Sequence, residues 1–182
     1  MRLIHQGLDV SPILAQLDAA SEMWSQYDDR TTRAETAHGE TSDQWLRYFP
    51  RETLTGPAAY NQPGQCVFYP AWDRLPALHA VVWGLMASMR SVELGGILLT
   101  RLPPGGRILR HSDGEAWHAR HFNCKCYVVL KANARCIVEC DGDEQVYRPG
   151  EIFELNNLLP HSMENGGTTE RLTAIICMRV EA

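Results

Sequence analysis

The chain has 182 residues, of which 45% are hydrophobic, and its formal net charge at pH 7 is -5. This length and hydrophobic fraction suit one globular domain with its own core and argue against a disordered chain. The 17 lysine and arginine residues are scattered along the sequence, so no basic patch predicts a nucleic-acid partner.

Two helices and one strand are predicted in the first half of the chain. The first helix is predicted over residues 12–27, with Ser11 as its N-cap and apolar residues recurring on one stripe. A polar loop is expected over residues 28–42, followed by a strand over residues 44–49. After a connector over residues 53–70 that is rich in proline and glycine, apolar residues at spacings of three and four predict a second helix over residues 72–92.

Arg47 lies within the strand predicted over residues 44–49. Alternation along a strand places Trp45, Arg47 and Phe49 on one face and Leu46 and Tyr48 on the other. Two roles are open for Arg47: it would contact a substrate carboxylate, or it would be an ordinary solvated or salt-bridged arginine.

The pattern changes from helical to strand-like at residue 96. Strands are predicted over residues 96–101, 107–111, 121–130, 135–141, 145–147, 151–155 and 172–180, with turn signals such as Asp141-Gly142 between them. Many short strands after two helices predict a mainly β fold, in which a double-sheet barrel is flanked by helices. We expect a single domain over residues 1–182, with residues 1–95 as N-terminal support and residues 96–182 as the β core.

The six cysteines lack the spacing and the histidine partners of a zinc site, so reduced thiols packed in strands are expected. The longest apolar runs are too short to cross a bilayer, and the chain does not open with a recognisable leader. These features lead us to expect a cytoplasmic protein with no membrane partner.

Three residues carry the strongest chemical signal: His111, Asp113 and His161. His111 and Asp113 are two positions apart at the end of a predicted strand, so their side chains project from the same side and can share one ion. His161 follows a segment of strand and turn signals that would fold back and bring a second strand end beside the first. Two histidines and one carboxylate that leave the other face of an ion open are typical of ferrous iron sites for oxygen chemistry.

Other ligands compete for the same ion, namely His118, His121 and Glu115. They rank lower because His118 and Glu115 fall in a predicted loop, and a rigid strand holds a ligand better than a loop does. His118 is instead expected at the surface or at the rim of a pocket. Arg171 opens the apolar run over residues 172–176, and its guanidinium there can clamp a carboxylate through paired hydrogen bonds.

A resemblance to a known family is carried by residues 99–113, which end in His111-Ser-Asp113, by Arg120-His121-Phe122, and by residues 156–165 with Arg171 beyond them. The segment Asn-Asn-Leu-Leu-Pro-His161-Ser-Met-Glu-Asn is its most specific part. These segments resemble the aspartyl/asparaginyl beta-hydroxylases, which are non-haem iron, 2-oxoglutarate-dependent oxygenases. The resemblance covers residues 96–178 best, and it implies a double-stranded beta-helix, that is, a jelly-roll or cupin-like fold with the metal inside one mouth.

The resemblance also implies roles for single residues. His111, Asp113 and His161 would bind Fe(II), and Arg171 would grip the distal carboxylate of 2-oxoglutarate. Thr100 matches a position whose hydroxyl helps to hold the cosubstrate.

Four further positions either have a less certain role in the family or differ among its members. Arg120 matches a position that contacts a carboxylate of the cosubstrate or of the substrate. Asn157 would fix the ligand geometry from outside the coordination sphere, or would be an ordinary turn residue. Phe122 stands where the family usually has a histidine, with His121 one place earlier, which leaves the role of that histidine open. Asp113 is present where some members lack the carboxylate, which favours a complete set of three ligands.

The function implied is hydroxylation of an amino acid, free or within a polypeptide, with O2 and 2-oxoglutarate consumed and succinate and CO2 released. Two other classes stay open: a cupin-like module that binds a metal or a small ligand without oxidising it, and a nucleobase-directed dioxygenase, which the acidic balance disfavours. The loops over residues 28–42 and 114–119 would decide the substrate, and their sequences carry no recognisable code.

Overall fold

A computed structural model describes residues 1–33, 35–55, 59, 61–114 and 116–181 of the chain. Its strands are β1 (Arg2–His5), β2 (Ser42–Tyr48), β3 (Val67–Phe68), β4 (Ser91–Leu102), β5 (Arg107–His111), β6 (Cys124–Lys131), β7 (Cys136–Cys140), β8 (Asp143–Val146), β9 (Ile152–Glu154), β10 (His161–Asn165) and β11 (Arg171–Val180). Its α-helices are α1 (Ser11–Asp18), α2 (Asp29–Thr32), α3 (Pro76–Ser88) and α4 (Trp117–His121).

The strands form two antiparallel sheets. The larger sheet has the order β1-β9-β6-β11-β4-β2-β3, and the smaller has the order β5-β10-β7-β8. From β4 to β11 the chain crosses repeatedly between the sheets, so that the last strand, β11, lies between β4 and β6. This is the connectivity of a jelly roll. The predicted fold class is therefore confirmed: the chain is mainly β with flanking helices and forms a double-stranded beta-helix.

Strand β11 shows how the sequence builds both sides of the larger sheet. Alternate residues point to opposite faces of a strand, and β11 is buried along most of its length. Leu172, Ala174 and Ile176 pack against the apolar side chains of α1 and α3. Arg171, Thr173 and Ile175 instead face a cavity inside the barrel. One strand thus contributes both to the core beneath the helices and to the interior of the barrel.

Both predicted N-terminal helices are shorter in the structure. α1 begins at Ser11, which is the first helical residue rather than the N-cap, and its hydroxyl donates to Asp9 Oδ1. The helix ends at Asp18, and a 3-10 turn follows at Ser21–Met23. α3 ends at Ser88 because Arg90 has a φ of 51°, a left-handed conformation that a helix does not accept. Its apolar stripe is confirmed, since Leu75, Leu78, Val82 and Leu85 are buried.

Several predicted loops contain short elements. α2 lies within the loop predicted over residues 28–42, and β3 lies within the predicted connector, of which residues 56–58 and 60 are outside the described residues. α4 occupies residues for which the sequence predicts a loop and the start of a strand, so β6 begins only at Cys124. The hairpin turn predicted at Asp141-Gly142 is confirmed by positive φ angles of 54° and 91°, as a type I′ turn requires.

A bulge in β2 overturns the predicted arrangement of its faces. The register of β2 against β4 shifts between Trp45 and Arg47, so strict alternation fails there. Trp45 and Tyr48 consequently line one cavity. Arg47 turns away from that cavity, donates to Leu94 O at 3.2 Å and places its guanidinium over the Phe68 ring at 4.5 Å. The structure therefore does not bring Arg47 to a site where it would contact a substrate carboxylate.

The cysteines are free thiols, and all except the partly exposed Cys177 are buried. Within the described part of the chain, none of the helices has the length and hydrophobicity needed to cross a bilayer.

Candidate metal centre

Two strand ends bring a pair of histidines together. His111, the last residue of β5, lies directly opposite His161, the first residue of β10, and their ring centroids are 4.3 Å apart. Asp113 follows β5, and its backbone N–H donates to Asn157 O at 2.8 Å. One ligand atom from each of His111, Asp113 and His161 lies within 4.8 Å of the other two. Small side-chain rotations would therefore bring all three onto one ion with bonds of about 2 Å.

Both imidazoles are oriented by backbone carbonyls. His111 Nδ1 donates to Leu109 O at 2.7 Å, and His161 Nδ1 donates to Leu159 O at 2.9 Å. A histidine with its proton on Nδ1 presents the lone pair of Nε2 to a metal. His111 Nε2 is buried and has no hydrogen-bond partner among the described residues. Such an atom is unfavourable unless something binds it.

Burial also keeps the two rings neutral. It lowers the pKa of His161 to about 4, and it lowers the pKa of His111 from its ordinary value as well. Neutral imidazole is the form that binds metals. At neutral pH, an ion would therefore not compete with protons for either nitrogen.

Asp113 is held so that one carboxylate oxygen stays open. Lys125 Nζ donates to Asp113 Oδ2 at 2.6 Å, and Asn157 Nδ2 donates to the same oxygen at 3.1 Å. The other oxygen, Oδ1, lies 3.6 Å from His111 Nε2. Burial alone would raise the pKa of Asp113, but the charge and hydrogen bond of Lys125, together with Asn157, hold it well below its usual range. Asp113 is thus an ionised candidate ligand, and the hydrogen bond from Asn157 helps to fix the orientation of its carboxylate.

Lys125 is a residue of this site that was not identified from the sequence. Its side chain is 12% exposed, and burial would lower its pKa, yet the neighbouring Asp113 raises it. A signal for it does exist, since Lys125 is the one charged residue between Cys124 and Leu130, in a strand that is otherwise mostly buried. A lysine in such a strand is rarely found without a partner charge.

A second group of polar side chains lies beside the metal centre, around Arg171. Arg171 is 2% exposed, and its Nη1 donates to Thr173 Oγ1 at 2.7 Å. Thr100 on β4 lies directly opposite Thr173. Arg171 Nη2 and Thr100 Oγ1 are both buried and have no hydrogen-bond partner in the described structure. Both residues line one narrow cavity, whose wall also includes His111, His161 and Lys125.

This arrangement suits an anionic ligand. Burial lowers the pKa of Arg171, but a guanidinium stays protonated in proteins. No ion pair neutralises Arg171 among the residues that the structure describes. A buried cation without a partner is unfavourable, whereas a carboxylate would accept hydrogen bonds from Arg171 Nη2 and Thr100 Oγ1 together.

A larger cavity of about 240 Å³ also borders Asp113. Its wall includes Arg30 from α2, Arg33 just beyond that helix, and Trp45 and Tyr48 from β2. Arg30, His38 and Lys125 line both cavities. The two cavities therefore share part of their walls beside the candidate metal centre.

Helix α4 buries His118 beside the larger cavity and exposes Arg120 at the surface. His118 is buried and lines the larger cavity, and its Nε2 accepts a hydrogen bond from Gly96 N–H at 3.1 Å. A Cβ on Gly96 would lie 3.2 Å from this nitrogen, so glycine permits the close approach. Arg120 is exposed and lines neither cavity. The structure does not bring Arg120 to the site, where the cationic side chains are Arg30, Lys125 and Arg171 around the narrow cavity, with Arg33 at the larger one.

Of the rival ligands considered from the sequence, the two that the structure describes, His118 and His121, do not join the three residues. His121 Nε2 lies 2.9 Å from Glu93 Oε2, and its ring stacks on Trp117 at 4.4 Å. His118 uses Nε2 for the bond to Gly96. Glu115 lies outside the described residues.

The buried His118 predicts a pH dependence of stability. Burial lowers its pKa to about 3, whereas the pKa of a histidine in the unfolded chain is about 6.5. As the pH falls below the unfolded value, the unfolded chain binds a proton that the folded chain refuses, so stability is lost. Each pH unit between about pH 6 and about pH 4 should cost about 1.4 kcal/mol through this residue. We expect His118→Gln to show a slope shallower by that amount in urea denaturation; an unchanged slope would mean that folded His118 is protonated.

A family-level sequence comparison covers nearly all of the chain. The sequence model described as aspartyl/asparaginyl beta-hydroxylase matches residues 14–181. No curated protein sequence matches the chain significantly.

Solved structures with partial similarity include cupins. A cupin domain from Bordetella pertussis has a TM-score of 0.38 and 19% identity over 48% of this chain and 84% of its own. A structure described as a predicted oxalate decarboxylase from Thermotoga maritima has a TM-score of 0.37 and 20% identity over 51% of this chain and 73% of its own. With TM-scores this low, neither the fold nor the function of this chain is inferred from them.

Proposed function

Because the chain belongs to the aspartyl/asparaginyl beta-hydroxylase family, whose model matches residues 14–181, we propose that it is an Fe(II)- and 2-oxoglutarate-dependent dioxygenase. Its substrate would be an amino acid, free or within a polypeptide, and succinate and CO2 would be the co-products. The family makes the chain a hydroxylase; the identities of the metal, the cosubstrate and the substrate are the proposal.

The observation that carries the proposal is a set of three buried polar atoms without partners around one narrow cavity. They are His111 Nε2, Thr100 Oγ1 and Arg171 Nη2. The first is a metal-binding nitrogen, and the other two are donors for an anion. A metal ion would bind the lone pair of His111 Nε2, and a keto acid that chelates this ion at one end would place a carboxylate at its other end to accept hydrogen bonds from the other two atoms. 2-Oxoglutarate has that form.

The donor set also favours iron. Two neutral imidazoles and one ionised carboxylate on one side of an ion, with the remaining positions open, are typical of Fe(II) in oxygenases. When bound, the ion and 2-oxoglutarate would supply the oxygen-activating chemistry by which a C–H bond becomes C–OH.

The residues of the chain would then act mainly by positioning. Arg171 and Thr100 would fix the distal carboxylate of the cosubstrate, and Lys125 and Asn157 hold the Asp113 carboxylate in place. Three apolar side chains, Ile108, Met163 and Ile175, also line the narrow cavity, beside the polar side chains of Arg30, His38, Tyr127 and Thr173. The apolar part of the wall would limit the access of water to the space beside the metal. The substrate would enter the larger cavity, whose wall includes Asp113.

The test is to load the protein with ferrous iron, add ascorbate and 2-oxoglutarate, and quantify succinate. We expect slow succinate formation even without the correct substrate, because oxygenases of this type turn over uncoupled. The same protein loaded with zinc is the control and should form none. Absence of succinate from iron-loaded protein would favour the alternative of a binding module that oxidises nothing. Mass spectrometry across amino acids and peptides would then seek the gain of one oxygen atom.

A further inference from the structure

The larger cavity offers a ligand many hydrogen-bond donors and few acceptors. Arg30, Arg33 and Lys125 all contribute to its wall. Asp113 is the one carboxylate among the described residues that line it, and Lys125 and Asn157 already bind its Oδ2. Among the described residues of the wall, a cationic group of a ligand would therefore find few acceptors to bind.

Arg30 is anchored from behind the cavity wall. Its Nη1 pairs with Asp43 Oδ2 at 2.5 Å, and the Asp43 side chain is 0% exposed and does not line the cavity. Its Nη2 lies 2.9 Å from His38 Nδ1. A guanidinium has five N–H donors and no acceptor, so these contacts fix Arg30 in place without using all of its donors.

His118 adds no acceptor to the wall. Its Nε2 accepts the hydrogen bond from Gly96 N–H, so the proton of the neutral ring is on Nδ1. Burial keeps this ring neutral, because it lowers the pKa of His118 to about 3. The ring therefore offers a ligand a donor or an aromatic surface.

The rest of the wall is aromatic and aliphatic, and the space is small. Trp45, Tyr48, Leu98 and Ile175 line it. Its volume of about 240 Å³ is below the range of about 300–1,000 Å³ that is typical for drug-sized ligands. An organic acid of the size of one amino acid matches both the volume and the donor-rich side.

We propose that the substrate is a small free acid whose carboxylate is held by Arg30 and Arg33, and that its recognition does not require a free ammonium group. This inference rests on the proposed function, because it takes the cavity beside Asp113 as the substrate site. It narrows the substrate from any amino acid, free or peptidyl, to a free carboxylate with an apolar body, and it extends the class to acids without an amino group.

The test compares matched ligands by calorimetry and ligand-observed NMR on the full chain in the absence of turnover. The probes are L-amino acids, their N-acetyl derivatives and the N-acetyl amides with the same side chains. For side chains that bind, N-acetyl acids should bind within a few-fold of the free amino acids. The amides should bind roughly tenfold or more weakly, because a hydrogen bond to a charged group contributes about 1.5–3 kcal/mol.

The variant Arg33→Gln should remove most of the preference for acid over amide. Arg30→Lys is the second variant, since it keeps a charge beside the buried Asp43, whereas a neutral side chain would leave that carboxylate unpaired. Arg74→Gln is the control, because Arg74 forms a surface ion pair with Glu22 and lines neither cavity.

Equal binding of acids and amides, or binding of none of the acids, would overturn the proposal. A strong preference for free amino acids over N-acetyl acids would overturn the claim that recognition does not require a free ammonium group. It would indicate another carboxylate at the cavity, and Glu115 would be the first residue to substitute in a search for it. Failure of the proposed function is distinguishable: succinate would then never form, whatever the ligand preference.

Discussion

The variant His161→Ala is expected to lose metal binding and all hydroxylation. His161 is buried, and its Nε2 is one of the three candidate metal donors, while its Nδ1 donates to Leu159 O. Removing a residue that merely orients a ligand typically weakens metal binding by about 10–100-fold. We therefore expect a loss of more than about 100-fold when a ligand itself is removed. Titration with Co(II), followed by its visible spectrum and by calorimetry, measures the affinity; His111→Ala should behave alike.

The matched control is His121→Ala. His121 was a rival ligand from the sequence, but it pairs with Glu93 and stacks on Trp117. Its removal should leave Co(II) affinity unchanged, and circular dichroism should show that both variants fold. Normal affinity in His161→Ala, or lost affinity in His121→Ala, would mean that the ligand set is different.

The variant Arg171→Met is expected to bind 2-oxoglutarate more weakly while its affinity for the metal is unchanged. The substitution removes the charge-assisted hydrogen bond from Arg171 Nη2 to a buried carboxylate, and a bond of about 1.5–3 kcal/mol corresponds to an affinity loss of about 10- to 100-fold. The 2-oxoglutarate concentration for half-maximal succinate formation should rise by that factor. Wild-type protein should gain about 2.7 kcal/mol of stability at a cosubstrate concentration of 100 times its Kd, and the variant should gain about 0.4–1.4 kcal/mol at the same concentration.

The same substitution should not destabilise the ligand-free protein. Arg171 is buried, and no ion pair neutralises it within the described residues, so an apolar side chain of similar length removes a desolvated charge. Arg179→Met is the control on the same strand, since Arg179 pairs with Glu93 and Glu181 at the surface. A normal 2-oxoglutarate requirement in Arg171→Met would remove Arg171 from its assigned role.

The part of the site that was predictable depends on short stretches of chain. His111 and Asp113 were expected on one side because alternation at a strand end is a local property. That His161 would lie opposite followed from the strand and turn signals between them, and β10 pairs with β5 at these two residues. The hairpin at Asp141-Gly142 was likewise predictable, because it needs only two residues that tolerate positive φ.

The parts that were missed have non-local causes. A bulge in β2 exchanges the faces on which Arg47 and Tyr48 were expected, and β2 is bent in this way only against β4. The short helix α4 directs Arg120 to the surface, and it is held in place by the burial of His118 and Ala119 rather than by a helical pattern in the sequence.

The amino-acid sequence by itself determined the mainly β fold, the three candidate ligands and the candidate carboxylate clamp at Arg171, because periodicity, turns and ligand spacing act over a few residues. Only the tertiary structure decided that Lys125 holds Asp113, that Arg30 is anchored by Asp43, and that both cations border the cavity beside the metal centre. These contacts join residues 12 and 13 positions apart, on segments whose relative orientation depends on the whole fold. The physical reason is that a buried charge is costly without a partner or a bound ligand, and folding, not sequence proximity, selects that partner.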